Sequence, residues 1–349
     1  MSDGPLIETR ALTKTFRAFA RREGVLGAVR DVFQRDYRDV RAVEAVDLAI
    51  EEGEVVGYIG PNGAGKSTTI KMLTGILVPT SGMVRVAGFV PWREREAYTR
   101  HIGVVFGQRT SLWWDVAVVE SLRLLQKVYG VSERDFRDRV DRFDAVLELK
   151  SYLHTPARKL SLGQRMRAEL AAALIHAPRV LFLDEPTIGL DVAVKARIRE
   201  FLREINRDLR TTILLTTHDL DDIEALCRRV VVIDRGLKIY DGSLTGLTTK
   251  LGDRRQVRLT AAGATLDAVR EATGGLDVAW SEAEPGVFCG AFRPDAVSVA
   301  DLLQRALGAA RVTDVAIEEI DVEQVVRTLY EGARGGPPSS LHGDLAAAP

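Results

Sequence analysis

The sequence predicts an α/β fold with a largely parallel sheet, an inserted helical subdomain and a small α+β domain at the C-terminal end. Short β-type runs alternate with helical patterns from Leu6 to about position 241, which favours a parallel sheet. The β-type runs stop between Leu112 and Ala177. After Gly242 the sequence becomes rich in Ala and Val, and this change marks a second domain.

The first domain is expected to span 5–245. Its core strands are predicted at five apolar runs: 55–60, 103–106, 180–183, 212–217 and 230–233. Inside it, a helical subdomain is predicted over 112–177, because apolar residues recur there at helical spacing among charges. These apolar residues are Phe136, Val140, Phe143 and Leu147.

The second domain is expected to span 250–332 as a small α+β unit. Candidate strands near 256–260, 277–280, 286–290 and 312–317 are separated by two helical stretches, which gives the order βαββαβ. The segment 335–349 is rich in Gly, Pro, Ser and Ala, and we expect it to be disordered.

Composition excludes several classes of protein. The 349 residues carry 48 basic and 49 acidic side chains, so the net charge of −1 gives no argument for a nucleic-acid partner, and none is expected. The two cysteines, Cys227 and Cys289, lie far apart, which argues against a disulfide framework or a zinc site and favours the cytosol. No apolar run approaches the roughly 20 residues of a spanning helix, so any membrane role is expected to be peripheral.

A phosphate-binding loop is predicted at Gly60–Ser67, which matches GxxxxGK[ST] between an apolar strand and a helical run. Its glycines let backbone N–H groups converge on phosphate oxygens at a helix N-terminus. Lys66 adds positive charge at the β- and γ-phosphates, and the Ser67 hydroxyl suits Mg²⁺. A loop that merely turns the chain is the alternative. The predicted nucleotide contacts are Gly60, Pro61, Asn62, Gly63, Ala64, Gly65, Lys66, Ser67 and Thr68.

A pair of acids ends the apolar run VLFLDEP, at Asp184 and Glu185. Two adjacent carboxylates at the end of a buried strand repel each other, and this cost would be explained if each carboxylate had a separate role. Asp184 would hold the Mg²⁺ shell, while Glu185 would orient the attacking water. The alternative is a solvated strand end without a catalytic role.

The segment KLSLGQRMR at 159–167 resembles the LSGGQ signature of the ATP-binding cassette (ABC) family, and the resemblance of the chain covers 6 to about 242. In that family the signature completes the ATP site of the opposite subunit, so Ser161, Gly163 and Gln164 are expected to contact nucleotide. Ser161 also suits a helix N-cap. Leu162 departs from the glycine usual at that position.

The resemblance implies a P-loop NTPase core of the RecA-like type with an antiparallel β subdomain. The C-terminal appendage lies outside the resemblance, and its βαββαβ order predicts a ferredoxin-like fold. The resemblance also implies roles for further residues. Gln108 would bind Mg²⁺ and sense a transmembrane partner, and His218 would contact the γ-phosphate. Asp191 would lie at the dimer seam, and Phe16 would stack on adenine. Glu185, His218 and Lys66 are then the expected catalytic residues.

The segment TIGLD, the strand VVFGQ and the small appendage resemble those of cassettes that pair with ABC-2 type exporter permeases. This implies an ATP-hydrolysing subunit that uses ATP and Mg²⁺. Its partners would be a separate permease and a second copy of itself or a homologous cassette. It would lie peripherally on the cytoplasmic face of the cell membrane. A soluble ABC ATPase acting on nucleic acid or ribosomes, and a regulator without turnover, are the alternatives.

The residues at 17–41 form an insertion that we expect to be helical. An apolar stripe of Val25, Val29, Val32, Phe33 and Val40 is surrounded by Arg21, Arg22, Arg30, Arg35 and Arg38. A helix over 20–38 that docks on a partner or the membrane and a helix packed on its own domain with a solvated basic face both fit this pattern. Trp113 and Trp114 form a second candidate docking patch, or they anchor the helical subdomain.

Overall fold

The computed structural model describes residues 4–19, 37–107, 110–217, 219–250, 255–261, 263–309 and 312–319. The chain divides into two compact units, with the boundary between Gly242 and Ser243. The predicted disordered tail at 335–349 lies outside the described residues, as do Gln108 and His218.

The described part of the first unit contains two sheets and seven α-helices. Its strands are β1 (Ile7–Phe19), β2 (Tyr37–Ile50), β3 (Val55–Ile59), β4 (Ser81–Val86), β5 (Ile102–Phe106), β6 (Val180–Asp184), β7 (Thr212–Thr216), β8 (Arg229–Asp234) and β9 (Leu237–Ser243). Its helices are α1 (Lys66–Leu73), α2 (Arg95–Thr99), α3 (Val118–Tyr129), α4 (Glu133–Leu147), α5 (Leu162–Leu174), α6 (Val192–Leu209) and α7 (Leu220–Leu226).

The central sheet has six strands in the order β5-β6-β7-β3-β8-β9, and the first five run parallel to their neighbours. The residues of β6 and β7 are almost all buried, as expected for parallel strands with both faces covered. All five apolar runs of the sequence are strands here, which confirms the α/β prediction. The carboxyl ends of β3, β5, β6 and β7 consequently meet at one edge of the sheet.

A second sheet joins β2, β1 and β4 in antiparallel fashion, as the predicted antiparallel β subdomain requires. The pairing of β1 with β2 is interrupted by register shifts near Ala11 and Ala45, whose φ angles of 48° and 49° are left-handed. Such bulges bend and twist a ladder locally. The sheet packs into the same apolar core as β3 and α1.

The helical prediction for 17–41 is wrong at both ends. Phe16 pairs with Val40, Arg17 with Asp39 and Ala18 with Arg38, so the β1 and β2 ladder continues through 17–19 and 37–41. The charges at these positions lie on an extended ribbon rather than on the polar face of a helix. Residues 20–36 lie outside the described part of the chain.

The helical subdomain predicted over 112–177 is built from α3, α4 and α5. Phe136, Val140, Phe143 and Leu147 are all buried, as their spacing predicts. The rings of Phe143 and Phe201 meet edge to face at 5.4 Å, which packs α4 against α6.

The second unit begins with α8 (Leu244–Lys250) and continues in the predicted order βαββαβ. The elements are β10 (Arg255–Ala261), α9 (Leu266–Ala272), β11 (Val278–Glu284), β12 (Val287–Phe292), α10 (Val299–Ala309) and β13 (Val312–Glu319). The four strands form an antiparallel sheet in the order β11-β12-β10-β13. Its core contains Trp280, Phe288 and Phe292, and the Trp280 indole donates to Thr273 Oγ1 at 2.8 Å.

Among the described residues, no helix has the length and apolar character needed to cross a membrane.

His176 follows α5 and is held as a neutral ring. Its ring stacks on Tyr129 at 4.0 Å, and its Nε2 lies 2.9 Å from the carbonyl oxygen of Ile102. A carbonyl only accepts, so Nε2 carries the proton, while the buried Nδ1 has no hydrogen-bond partner. Burial lowers the pKa of His176 to about 4, because a second ring proton would be buried without an acceptor.

This arrangement predicts loss of stability in mild acid. Below pH 6.5 the unfolded chain protonates His176 while the folded chain does not, so the free energy of unfolding falls as the pH drops. Between about pH 7.5 and pH 5 this residue accounts for a loss of about 2 kcal/mol. Urea unfolding of the parent and of His176→Phe at both pH values measures it. Equal pH dependence in the two proteins would contradict the assignment.

Candidate functional site

The predicted phosphate loop lies between β3 and α1, at the edge of the sheet where the parallel strands end. Gly65 has φ 108°, and a Cβ there would lie 2.3 Å from the carbonyl oxygen of Ala42. At Gly60 a Cβ would lie 2.5 Å from the carbonyl oxygen of Ile233. Gly63 also has a positive φ, of 80°, but no atom lies within 4 Å of its Cβ position. Close backbone packing therefore requires glycine at 60 and 65, and backbone conformation alone favours it at 63.

Lys66 is the first residue of α1, and its side chain is buried in the loop. Its Nζ donates to the carbonyl oxygens of Gly60 at 2.7 Å and Pro61 at 3.3 Å. Burial lowers the pKa of Lys66, and the nearby Glu185 and Asp184 carboxylates oppose that shift. A cation held over the start of a helix, beside backbone N–H groups, suits a phosphate group.

Asp184 is the last residue of β6, and its Oδ1 joins three elements. It accepts from Ser67 Oγ at 3.2 Å and from Thr216 Oγ1, at the end of β7, at 2.6 Å. Ser67 and Asp184 thus place two oxygen atoms side by side, and their binding of Mg²⁺ stays a prediction. Thr216 was not predicted from the sequence. Its place at the end of the apolar run of β7 was the available signal, and only the structure pairs it in register with Asp184.

This oxygen pair fits Mg²⁺ in particular. In the described part of the chain, no group of three or more His, Cys, Asp or Glu side chains could hold a metal alone. Mg²⁺ usually binds through one or two protein oxygens and completes its shell with water and phosphate oxygens, so a larger cluster is not needed.

Glu185 has a strained backbone directly after the strand. Its φ of 56° is left-handed, a conformation that costs a non-glycine residue roughly 1 to 2 kcal/mol. Its N–H donates to the Thr216 carbonyl at 2.9 Å, while the Gly107 N–H donates to the Asp184 carbonyl at 2.8 Å. A Cβ on Gly107 would lie 2.4 Å from the Glu185 carbonyl oxygen. The ends of β5 and β7 therefore fix the backbone of the acid pair, and strain of this kind is common at functional sites.

A cleft of about 820 Å³ collects these groups. Its lining includes Gly60, Ser67, Gly107, Asp184 and Glu185. A smaller hollow of about 190 Å³ lies over the loop itself, lined by Ala42, by 61–68 and by Glu185. The structure therefore brings the predicted loop, metal ligand and catalytic acid together.

The signature segment begins helix α5 with a reciprocal cap at Ser161. Ser161 Oγ accepts from the Gln164 N–H at 3.2 Å, and the Ser161 N–H donates to Gln164 Oε1 at 3.0 Å. The Gln164 N–H uses only a lone pair of Ser161 Oγ, so the hydroxyl proton of Ser161 can be donated to an external acceptor. Ser161 is exposed, and neither it nor Gly163 belongs to the cleft lining. Within one chain, the signature is thus separate from the cleft.

Leu162, where the family usually has glycine, packs on the loop that precedes Asp191. A Cβ on Gly189 would lie 3.2 Å from Leu162 Cδ2, and a Cβ on Gly163 would lie 3.2 Å from Val194 Cγ2. Asp191 itself caps helix α6, since its Oδ1 accepts from the Val194 N–H at 2.9 Å. The signature and the Asp191 loop are therefore in contact within one chain.

A buried carboxylate that the sequence analysis missed lies near the end of β7. Asp222 is fully buried and accepts from Thr187 Oγ1, from Thr217 Oγ1 at 3.4 Å and from Arg199 Nε at 2.5 Å. It therefore joins the loop after the acid pair to the segment that precedes His218. Its place as the third acid of the run DLDD was its only signal in the sequence.

Phe16 is 40% exposed, and the ammonium of Lys14 lies 5.3 Å from the centre of its ring. The stacking of Phe16 on adenine stays a prediction, and so do all the nucleotide contacts and catalytic roles assigned from the sequence. The roles of Gln108 and His218 stay predictions as well.

Comparison with known sequences finds one family in this region. The family model described as ABC transporter matches residues 43–188. The ABC transporter ATP-binding protein NatA of Bacillus subtilis is 35% identical over 215 residues, which cover 62% of this chain and 87% of NatA. A Nod factor export ATP-binding protein I of Cupriavidus metallidurans is 40% identical over 207 residues, covering 59% of this chain and 67% of that protein.

The fold is shared with solved structures as well. A dimeric post-hydrolysis state of the ATP-binding cassette MJ0796, bound to ADP and Pi, superposes with a TM-score of 0.57 at 25% identity. The match covers 68% of this chain and 98% of that cassette.

Two glycines of the loop give a matched test of its geometry. Gly65→Ala combines a left-handed φ with a backbone clash, so we expect nucleotide affinity to fall by about tenfold or more, a cost of about 1.4 kcal/mol or more. Gly63→Ala has a left-handed φ without a clash, so we expect a smaller loss. Titration with a fluorescent ATP analogue measures both. Equal affinities for the two variants would contradict the packing argument.

Proposed function

Because this chain belongs to the family of ABC transporter ATP-binding proteins, we propose that it drives export through a separate membrane permease of the ABC-2 type. The chain is an ATP-binding and ATP-hydrolysing subunit. The observation that supports the proposal most is the convergence of Ser67, Asp184 and Glu185 on the cleft, with Lys66 lining the hollow that shares Ser67 and Glu185 with it and the signature residues outside both.

Binding rests on the phosphate loop. The backbone N–H groups of 62–66 and the Lys66 ammonium would hold the β- and γ-phosphates at the start of α1. Ser67 Oγ and Asp184 Oδ1 would hold Mg²⁺, which neutralises phosphate charge when bound. Thr216 Oγ1 orients the Asp184 carboxylate through its 2.6 Å hydrogen bond, and it leaves Oδ2 for other ligands.

Hydrolysis rests on Glu185. The backbone held by the Thr216 carbonyl places Glu185 beside the loop, where it also lines the hollow over 61–68. From there its carboxylate would orient a water molecule for attack on the γ-phosphate and accept its proton. His218 would contact the same phosphate, and Gln108 would complete the metal shell.

A second copy of the chain, or a homologous cassette, would complete the site. Ser161 is exposed at the N-terminus of α5, where the helix dipole and a free hydroxyl proton favour a phosphate oxygen. It does not line the cleft of its own chain, so the phosphate would belong to a partner. Gly163 and Gln164 would join that contact, and Asp191 would lie at the seam. The dimeric state of the MJ0796 cassette supports this arrangement.

Export through a permease is supported by the relatives and by an exposed apolar surface. One relative is a Nod factor export protein by name. On the helical subdomain, Trp113 and Trp114 are 44% and 49% exposed, and Val116 is 41% exposed. Exposed tryptophans are typical of interfaces, so this surface would dock on the permease from the cytoplasmic face of the membrane. The second unit would serve accessory dimerisation or regulation.

The role of Glu185 has a direct test. Glu185→Gln keeps the shape of the side chain but removes the charge that orients water, so we expect an ATP-bound dimer with negligible turnover. Glu52→Gln, which changes a half-exposed acid paired with Arg179 and distant from the cleft, is the matched control. Phosphate release and size-exclusion chromatography with ATP measure both effects. Hydrolysis at the parent rate in Glu185→Gln would overturn the role.

The permease is tested by purification from detergent-solubilised membranes. We expect the chain to bring down a polytopic membrane protein. We expect that recovery to fall by at least about tenfold in a Trp113→Ala/Trp114→Ala variant whose nucleotide affinity is unchanged, because the loss of even one interface tryptophan that contributes roughly 2 kcal/mol exceeds a tenfold effect. Leu237→Ala, at another exposed apolar residue, is the control. Co-sedimentation with ribosomes instead would favour the soluble ATPase.

A further inference from the structure

Glu169 is a buried carboxylate of helix α5 whose partners all belong to one short segment. It is 4% exposed. Its Oε1 accepts from Thr110 Oγ1 and, at 3.4 Å, from the Leu112 N–H. Both of its oxygens accept from the Ser111 N–H at 3.0 Å, and Oε2 also accepts from Ser111 Oγ. Because an unpaired buried charge is costly, these contacts hold 110–112 against α5.

The residues that follow are attached to the same subdomain. The Trp113 N–H donates to Ser121 Oγ of α3 at 3.2 Å. The Trp114 carbonyl accepts from the Arg158 N–H at 3.0 Å, just before the signature. The hydrogen bonds of the segment 110–114 described here therefore attach it to the helical subdomain of α3 and α5, and not to the central sheet.

Between Gly107 and Thr110 the hydrogen bonds of the chain change from the central sheet to the helical subdomain. The Gly107 N–H donates to the Asp184 carbonyl of β6, in the central sheet, and three positions later Thr110 donates to Glu169 of the helical subdomain. The cleft with the nucleotide site contacts Gly107, whereas the exposed Trp113 and Trp114 lie just beyond the Glu169 contacts.

We propose that Glu169 is a positioning residue for ATP hydrolysis, which fastens the segment 110–112 to the helix that carries Ser161. Glu169 lies eight positions after Ser161, which is about 12 Å along the helix. Movement of the segment is thereby passed to Ser161 as movement of a rigid body. The inference rests on the proposed function, in which Ser161 completes the ATP site of a partner subunit.

A positioning role for Glu169 affects kcat without affecting nucleotide affinity, whereas a purely structural role would change both. ATP binding to one chain uses the phosphate loop and Asp184, which Glu169 does not contact. Hydrolysis requires Ser161 to reach the partner's nucleotide in the correct geometry. A defect at Glu169 should therefore lower kcat and dimerisation but leave nucleotide affinity unchanged.

Glu169→Gln tests this in the full chain. The substituted amide keeps the size of the side chain but turns one acceptor into a donor that faces the Ser111 donors. We expect kcat to fall by about 10- to 100-fold, since small errors in positioning have effects of that size. Affinity for a fluorescent ATP analogue should stay within about twofold of the parent value. In the Glu185→Gln background, the ATP-dependent dimer should be weakened.

Two further variants keep the test decisive. Tyr152→Phe removes a buried hydrogen bond to the Leu147 carbonyl in the same subdomain, away from 110–112, and should keep the parent kcat. Ser111→Ala changes an exposed side chain that donates to Glu169, so it should fold and lower kcat in the same direction. Combined with Glu169→Gln, it should add little further loss.

The outcomes separate the two proposals. A parent-like kcat in Glu169→Gln, or a fall in nucleotide affinity that matches the fall in kcat, overturns the positioning role. A loss of kcat in Tyr152→Phe as large as that in Glu169→Gln overturns it as well. If Glu185→Gln alone forms no dimer with ATP, the proposed function fails and this inference fails with it.

Discussion

The active site depends on the position of one carboxylate, Asp184. It ends β6 between two parallel neighbours, and it accepts hydrogen bonds from Ser67 at the start of α1 and from Thr216 at the end of β7. One side chain thereby fixes the distance between the phosphate loop and the sheet edge. Glu185 follows Asp184 directly, and its N–H donates to the Thr216 carbonyl of β7. The position of Asp184 therefore also fixes the backbone of Glu185.

Local sequence signals predicted the elements of the core well. Parallel strands buried on both faces must be continuous apolar runs, so VLFLD and TILLT are recognisable without any knowledge of their partners. The phosphate loop is predictable for a similar reason, since its glycines, lysine and hydroxyl act within eight residues of each other. The ends of 17–41 were mispredicted because charged residues on an extended two-stranded ribbon resemble the polar face of a helix.

Long-range polar contacts could not be predicted in this way. Thr216 meets Asp184 across 32 positions, Asp222 meets Thr187 across 35, and Glu169 meets Thr110 across 59. Nothing near each residue specifies its partner, because the fold alone brings them together. Such residues also break local rules: Asp222 and Glu169 are buried carboxylates, and Glu185 has a left-handed backbone. Departures from local preference are common where function adds a requirement.

The reciprocal cap at Ser161 has a consequence for the thermodynamics of assembly. Because Gln164 and Ser161 hold each other in the single chain, the N-terminus of α5 is ordered before any partner arrives. Ordering a loop on association usually costs conformational entropy, at roughly 0.5 to 1.5 kcal/mol for each immobilised side chain. A preorganised signature avoids much of that cost, so in the proposed dimer more of the interaction energy with nucleotide would be available to hold two subunits together.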